Sequence, residues 1–329
     1  MKVLFLGGTG LIGSAVGTRL TQDKSNKLTI VHRGVTASSV TGGNVRELRA
    51  DLRNPEELRG ILKDERFDVV VNWIAFSTDH VQQDIDFFRG NVGQYFFISS
   101  ASAYQKPLQH YRITESTPLV NPYWEYSRNK AACERLLENS DIPYTIVRPS
   151  HTYGQGKIPF PIGSGKDWTP VQRILDGKPI IVPGDGTSLW TTTYNTDFAE
   201  GMVGLFGQNR AIGQAFHITS DEAITWNNIV NTVGQALGVT PKLIHLPSEL
   251  IEKKLPGQRG GLLGDKSESV IFDNSKLKDL VPGFKAKVTF AEGVRKCLEY
   301  WDAHEKEIDD QYNRDMDMLT ELHAKIYAL

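Results

Sequence analysis

Val3-Leu4-Phe5-Leu6-Gly7-Gly8-Thr9-Gly10-Leu11-Ile12-Gly13 decides how this chain folds. Lys2–Leu6 reads as a buried strand, the glycines as a tight turn, and Leu11–Thr21 as the helix that follows. Gly8-x-Gly10-x-x-Gly13 fits one glycine fingerprint, GxGxxG, and the overlapping Gly7-x-x-Gly10-x-x-Gly13 fits its GxxGxxG variant. With few side chains in the way, the backbone N–H groups of such a turn reach a pyrophosphate, whose charge is favoured by the helix N-terminus. A strand before and a helix after is the context this motif requires. The turn is therefore read as a dinucleotide cradle using Gly7, Thr9, Gly10, Leu11, Ile12 and Gly13. The competing reading is a glycine turn that serves only strand–helix packing.

Working outward, short apolar runs alternate with helical patterns, as a parallel sheet with crossover helices demands. Leu28–His32 and Val45–Ala50 read as strands, Glu56–Leu62 as a short helix and Phe67–Phe76 as a central strand. Gln94–Ser100 and Tyr144–Arg148 are further strands, flanking a helix at Tyr123–Asn139. The expected fold is α/β: a Rossmann-type doubly wound parallel sheet over residues 1–155. A smaller, partly interleaved C-terminal α/β substrate domain fills most of 156–329. Phe198–Phe206 (helix) and Ala215–Thr219 (strand) suit the sheet layers, so parts of 190–222 are assigned to the first domain. Pro256–Gly264 is expected to be a mobile loop, and Phe290–Leu329 a helical segment packed on the body.

Composition narrows the function. The 329 residues carry 37 basic and 39 acidic side chains, a formal net charge of −2, which gives no drive toward nucleic acid or an anionic membrane. No apolar run approaches the ~20 residues that span a bilayer. The first strand begins at once, leaving no room for a cleavable signal, and two cysteines make no disulfide framework; the cytoplasm is the expected compartment. The eight histidines form no metal-ligand pattern. A homodimer is compatible with this composition.

Tyr126-Ser127-Arg128-Asn129-Lys130 carries the second signal. Residues four apart on a helix share a face, and an ammonium beside a phenol lowers the phenol's pKa from about 10 toward working pH. Such a tyrosine exchanges a proton with an alcohol or carbonyl while hydride moves. Tyr153–Lys157 repeats the spacing, but Gly154 and Gly156 argue against a helix there. With the glycine turn, Tyr126 and Lys130 imply nicotinamide-dependent redox chemistry on a small-molecule substrate, with NAD(P) as cofactor. At the end of the second strand, Val31-His32-Arg33-Gly34 has no acid for the ribose 2′-OH of NAD, and Arg33 tilts the expectation toward NADP.

At this point the chain resembles the extended short-chain dehydrogenases, the NAD-dependent epimerase/dehydratase family, across about residues 1–300. Phe97-Ile98-Ser99-Ser100-Ala101-Ser102-Ala103-Tyr104 resembles the family's fifth-strand segment, which makes Ser100 the implied hydrogen-bond partner of the reacting oxygen and puts Ser99 near the cofactor. Asp51-Leu52 matches the pair beside the adenine, and Asn72-Trp73-Ile74-Ala75 the strand end that lines the cofactor. Arg148-Pro149-Ser150-His151 resembles the exit near the nicotinamide, implicating Pro149 and His151. The resemblance also implies a bond from Lys130 to the nicotinamide ribose. Trp73, His80, Ser102, Trp124, His151 and Trp190 are candidates to line the substrate pocket.

The match departs in three places. Alignment on Asp197 puts Trp190 where nucleotide-sugar members carry a diphosphate-binding arginine; Arg259 or Lys266 are the nominated substitutes. Ala101 and Ser102 stand where sugar dehydratases have Asp-Glu, which disfavours dehydration and leaves epimerisation or carbonyl reduction. Thr78–Gly93 resembles the chloroplast stem-loop RNA-binding branch, so an RNA-binding or regulatory protein on the same fold is the alternative. Gly163-Ser164-Gly165-Lys166 is no P-loop, because Phe160 replaces the first glycine.

Overall fold

The computed structural model describes residues 1–63 and 65–328. Its centre is a seven-stranded sheet: β1 (Lys2–Leu6), β2 (Lys27–His32), β3 (Val45–Arg49), β4 (Phe67–Asn72), β5 (Val92–Ile98), β6 (Tyr144–Pro149) and β7 (Gln214–Ile218). Their spatial order is β7-β6-β5-β4-β1-β2-β3, with every neighbouring pair parallel. The order reverses between β1 and β4, and ligands of doubly wound sheets bind outside the strand ends at such a switch point. Val3, Phe5, Val69 and Val71 face one buried layer, while Leu4, Leu6, Val70, Tyr95 and Phe97 face the other. Burial on both faces explains why these strands read as continuous apolar runs.

Helices α1 (Leu11–Thr21), α2 (Pro55–Leu62), α3 (Thr78–Phe88) and α4 (Glu125–Glu138) connect the strands. α2 starts where Asn54 accepts hydrogen bonds from the amides of Glu56 and Glu57, with Pro55 at its first position. α3 was not assigned from sequence: its inward residues Val81, Asp84, Ile85 and Phe88 have helical spacing but include an acid. Helix Asn195–Gly204 packs on α1, and the later strand β7 returns to the sheet edge beside β6.

The remaining strands form small sheets separate from the large one. Leu189–Tyr194 pairs in parallel with His151–Tyr153 and antiparallel with Ala223–Thr225, while Ile271–Phe272 pairs with Arg112–Ile113. Pro256–Lys266, expected to begin as a mobile loop, instead runs through short helical turns with Leu262 and Gly264 buried. The C-terminal segment is two helices, Phe290–Asp302 and Asp310–Tyr327. Among the described residues no helix is long and apolar enough to cross a membrane.

One glycine holds the β1–α1 corner together by close approach. A Cβ on Gly13 would lie 2.5 Å from the Gly8 Cα and carbonyl oxygen, backbone that cannot swing aside, whereas one on Gly10 would meet nothing within 4 Å. Gly13→Ala is expected to destabilise the fold by about 1–3 kcal/mol, with Gly10→Ala melting close to the parent. Thermal melts of the two variants check this; equal melting points would refute the packing role.

Candidate active site

Two hollows meet at the switch-point end of the sheet. A groove of about 500 Å³ runs past Gly7–Gly13, Trp73, Ile74, Phe76, Ser99 and Lys130. A cavity of about 280 Å³ lies beyond it, lined by Ala101, Ser102, Lys106, Trp124, Trp190, Asp265 and Phe272 among others. Ser100, Tyr126, Pro149, Ser150 and His151 border both. The groove's floor is a cradle of bare backbone. Gly7 and Gly8 have φ of +78° and +91°, and Gly10 stands at the N-terminal cap of α1 with no side chain bonded to the helix's first N–H groups. An anionic diphosphate fits that uncapped helix end.

α4 places Tyr126 in its first turn and Lys130 one turn later. Lys130 is 2% exposed, and its ammonium donates to the carbonyls of Ala75 and Ile98, each at 2.7 Å. Those carbonyls follow β4 and close β5, so the sheet fixes the lysine. Burial pushes the ammonium down to about 8. The expected lowering of the Tyr126 pKa needs correction. Burial raises it, opposed by a hydrogen bond with Ser100, while Lys130 spends two N–H groups on carbonyls and lies 5.7 Å from the tyrosine ring centre.

Ser100 sits at the mouth of a short helical turn, Ala101–Ala103. Its Oγ accepts from the Ser102 amide and shares a 2.8 Å hydrogen bond with the Ser102 hydroxyl, which Ser127 Oγ meets at 2.8 Å. Beneath it, the Ser99 hydroxyl donates to Glu134, a carboxylate that also accepts from Arg148 Nη2 at 2.6 Å and from Arg148 Nε. Arg148 continues to the Tyr104 hydroxyl at 3.2 Å, which contacts His217 Nδ1 at 3.1 Å. Glu134 and Arg148 are 0% and 3% exposed, so this network is the rigid base of the site.

Residues 3–219 match the NAD dependent epimerase/dehydratase family. The chain belongs to that family. Among its relatives, UDP-glucose 4-epimerase of Lactobacillus helveticus is 23% identical over 339 residues, covering 94% of this chain and all of the relative. Chloroplast stem-loop binding protein of 41 kDa b from Arabidopsis thaliana is 24% identical over 257 residues, 74% of this chain but 65% of the plant protein's length. The fold is shared with UDP-glucuronic acid 4-epimerase from Bacillus cereus, solved with UDP-glucuronic acid and NAD, at a TM-score of 0.72 and 20% identity, covering 92% of this chain and 99% of that one.

The positions nominated by the epimerase/dehydratase resemblance do not all reach the two hollows. Asn72 is 2% exposed, and its side chain serves the fold: Nδ2 donates to Asp84 and Oδ1 accepts from the Ile74 amide at 2.9 Å. Leu52 is buried in the core layer under β1 and β4, and Ala75 contributes its carbonyl to Lys130. Arg33 and Asp51 are exposed beyond the ends of β2 and β3, outside the groove's lining. Trp73 lines the groove and not the smaller cavity, its ring 5.3 Å from Phe5 and close over Gly8. His80 lies on α3 with Nδ1 accepting from the Phe76 amide, and it lines neither hollow.

Arg259, nominated for a substrate phosphate, is exposed, pairs with Glu252 at 2.7 Å and lies outside the cavity lining. Ser102, Trp124, Trp190 and His151 do line the cavity. Trp190 is 2% exposed and packs 5.3 Å from Trp226; burial and the charges of Lys266 and Lys157 push His151 down to about 3, so it is neutral at working pH.

Several residues of the site left no trace in the sequence reading. Arg53 donates to the Ile74 carbonyl at the groove's edge and feels the charges of both Asp51 and Arg33. Phe76 presents its ring 4.7 Å from the Lys130 ammonium. Lys106 and Asp265 enter the 280 Å³ cavity from widely separated stretches of chain. No local motif marks them, because only the folded topology brings them together.

Proposed function

We propose that this member of the epimerase/dehydratase family binds NAD(P) in the groove and oxidises a secondary alcohol, or reduces the corresponding ketone, of a sugar-like or nucleotide-sugar substrate in the cavity. The observation that carries this reading is the convergence of Ser100 and Tyr126 on the boundary between the two hollows, with Lys130 on the groove side. The bound dinucleotide supplies or accepts hydride. Tyr126 exchanges the proton at the substrate oxygen, Ser100 orients that oxygen, and Lys130, held by two carbonyls, keeps one N–H free for the nicotinamide ribose. The raised Tyr126 pKa suits the acid form, which gives a proton to a carbonyl; bringing a dinucleotide's ribose and positive nicotinamide beside it favours the phenolate. Ser102 and Ser127 complete a hydroxyl chain behind Ser100.

Cofactor preference rests on Arg33 and, beside it, Arg53. Arg33 beyond the end of β2, with Arg53 near enough to feel its charge, favours a ribose 2′-phosphate over a free hydroxyl. Arg33→Ala is expected to weaken NADP binding roughly tenfold and leave NAD unchanged, as read by fluorescence titration of both dinucleotides. An unaltered NADP-to-NAD ratio would retire the assignment. Epimerisation and net reduction share this hydride step. A dinucleotide retained through purification supports epimerisation, in which the same cofactor returns the hydride to the opposite face.

A further inference from the structure

Among the described residues Asp265 is the one acid lining the substrate cavity, and its surroundings are unusual. It comes from the turn Leu262–Lys266, yet borders the same 280 Å³ as Ser100 and Tyr126, whose phenol feels its charge. Among the described residues no donor reaches its carboxylate. Lys106, 2% exposed on its side chain, bonds the Asp265 backbone carbonyl at 3.1 Å and reaches toward Glu268 at 3.7 Å, leaving the Asp265 carboxylate itself unbonded. Lys266 and Lys106 act on it only through their charges. Burial pushes this carboxyl up to about 6. Asp265 is half-buried on the cavity wall with no protein donor on its carboxylate, so a ligand that fills the cavity and displaces its water has to supply one.

A structural role would place a donor on that carboxylate, as Arg148 does for Glu134 in the same molecule. What the cavity offers is an acceptor, Asp265, and a nearby cation, Lys106, on a wall that also carries the apolar Trp190, Val270 and Phe272. A hydroxyl both donates and accepts, and suits this pair better than a carboxylate, which Asp265 repels, or an apolar group, which leaves it unpaired. Neither residue is a guanidinium arranged for a diphosphate.

We propose that Asp265, backed by Lys106, reads a second hydroxyl of the substrate beside the one that faces Ser100 and Tyr126, so that the cavity selects polyols over simple alcohols. The assignment of the first hydroxyl rests on the redox reading above; the selection by Asp265 is a statement about binding and stands apart from it.

The test is a binding titration of the full chain in the presence of NAD(P), followed by the intrinsic fluorescence of the cavity tryptophans. The probes are UDP-glucose, glucose 1-phosphate, glucose and myo-inositol, with cyclohexanol as the single-hydroxyl comparison. At least one polyol is expected to bind while cyclohexanol does not. Asp265→Ala should weaken that polyol roughly 10- to 100-fold, with dinucleotide affinity unchanged as the control for folding. Binding to the parent should also weaken as pH falls through about 6 and the carboxylate is protonated, a dependence that Asp265→Asn removes. Lys106, Lys266, Glu268 and Tyr126 are the other titratable groups around it, and none but Asp265 is replaced in that comparison. Equal polyol affinity in the parent and Asp265→Ala, or a panel in which no polyol binds the parent, overturns the proposal. Absorbance at 340 nm, with the configuration of the recovered polyol read by NMR, separates the two readings. Asp265-dependent binding with neither net hydride transfer nor inversion refutes the redox reading alone, and turnover at sub-saturating polyol that is indifferent to Asp265 refutes this one alone.

Discussion

Tyr126→Phe is expected to lower turnover by about 10²- to 10⁴-fold while leaving dinucleotide affinity within about twofold of the parent. The substitution deletes one oxygen. The ring keeps its neighbours, Trp124 at 5.1 Å and Phe76 at 6.4 Å between centres, so the helix that carries it has no reason to shift. Loss of the phenol removes the proton exchanged at the substrate oxygen but none of the glycine cradle. A variant that turns over at the parental rate would eliminate Tyr126 as acid/base. The same pair of proteins weighs the RNA-binding alternative: a steep fall of RNA affinity with salt, equal in parent and variant, would favour it over catalysis. The formal net charge of −2 and the presence of Ser100, Tyr126 and Lys130 argue for catalysis.

Glu134→Ala carries the largest expected cost in stability, about 3–5 kcal/mol. It strips the counter-ion from Arg148, which is 3% exposed, and the acceptor from Ser99. For a chain of this size the melting temperature should fall by on the order of 10 °C. The cost arises from stranding a buried guanidinium, and the ion pair itself contributes little net stability. A double replacement, Glu134→Leu with Arg148→Met, should therefore recover a large part of the loss. A single variant that melts with the parent, or a double variant as unstable as the single, would contradict this account. Because Ser99 adjoins Ser100, the single variant should also loosen the Ser100 hydroxyl, seen as a fall in turnover beyond what unfolding explains.

The sheet was legible because parallel strands buried on both faces must be apolar throughout, and Val69-Val70-Val71 leaves no other reading. The glycine corner was legible because close backbone approach excludes side chains. α3 escaped because Asp84, an acid, occupies its buried face, held there by Tyr95 and Asn72. Asn72 itself illustrates why motif matching overreaches: a residue at the end of a cofactor-lining strand can spend its amide on holding the turn. His80 was nominated by position and Arg259 by its charge, and neither fixes which way a loop or helix face looks. Lys106 and Asp265 could not be found at all, since each is unremarkable among its sequence neighbours. The Tyr126 pKa went the other way because helical spacing reports shared faces but not where the lysine's protons are spent.

The turn-rich stretch Pro256–Lys266 is clamped to the residues that lead into α4. Asn121 Nδ2 bridges the Ser102 and Gly264 carbonyls at 2.7 Å each, and Gly260 lies so close to the Trp124 indole that a Cβ there would fall 2.4 Å from its ring. Trp124 in turn is the residue from which α4 starts. Loop grafting between relatives treats recognition as a cassette that can be exchanged over a fixed reactive framework. Here the cassette and the framework share a hinge pin, and an imported loop that lacks glycine at position 260 would push on the helix that carries Tyr126. Altering what this enzyme accepts therefore calls for substitutions within the loop, with its backbone kept.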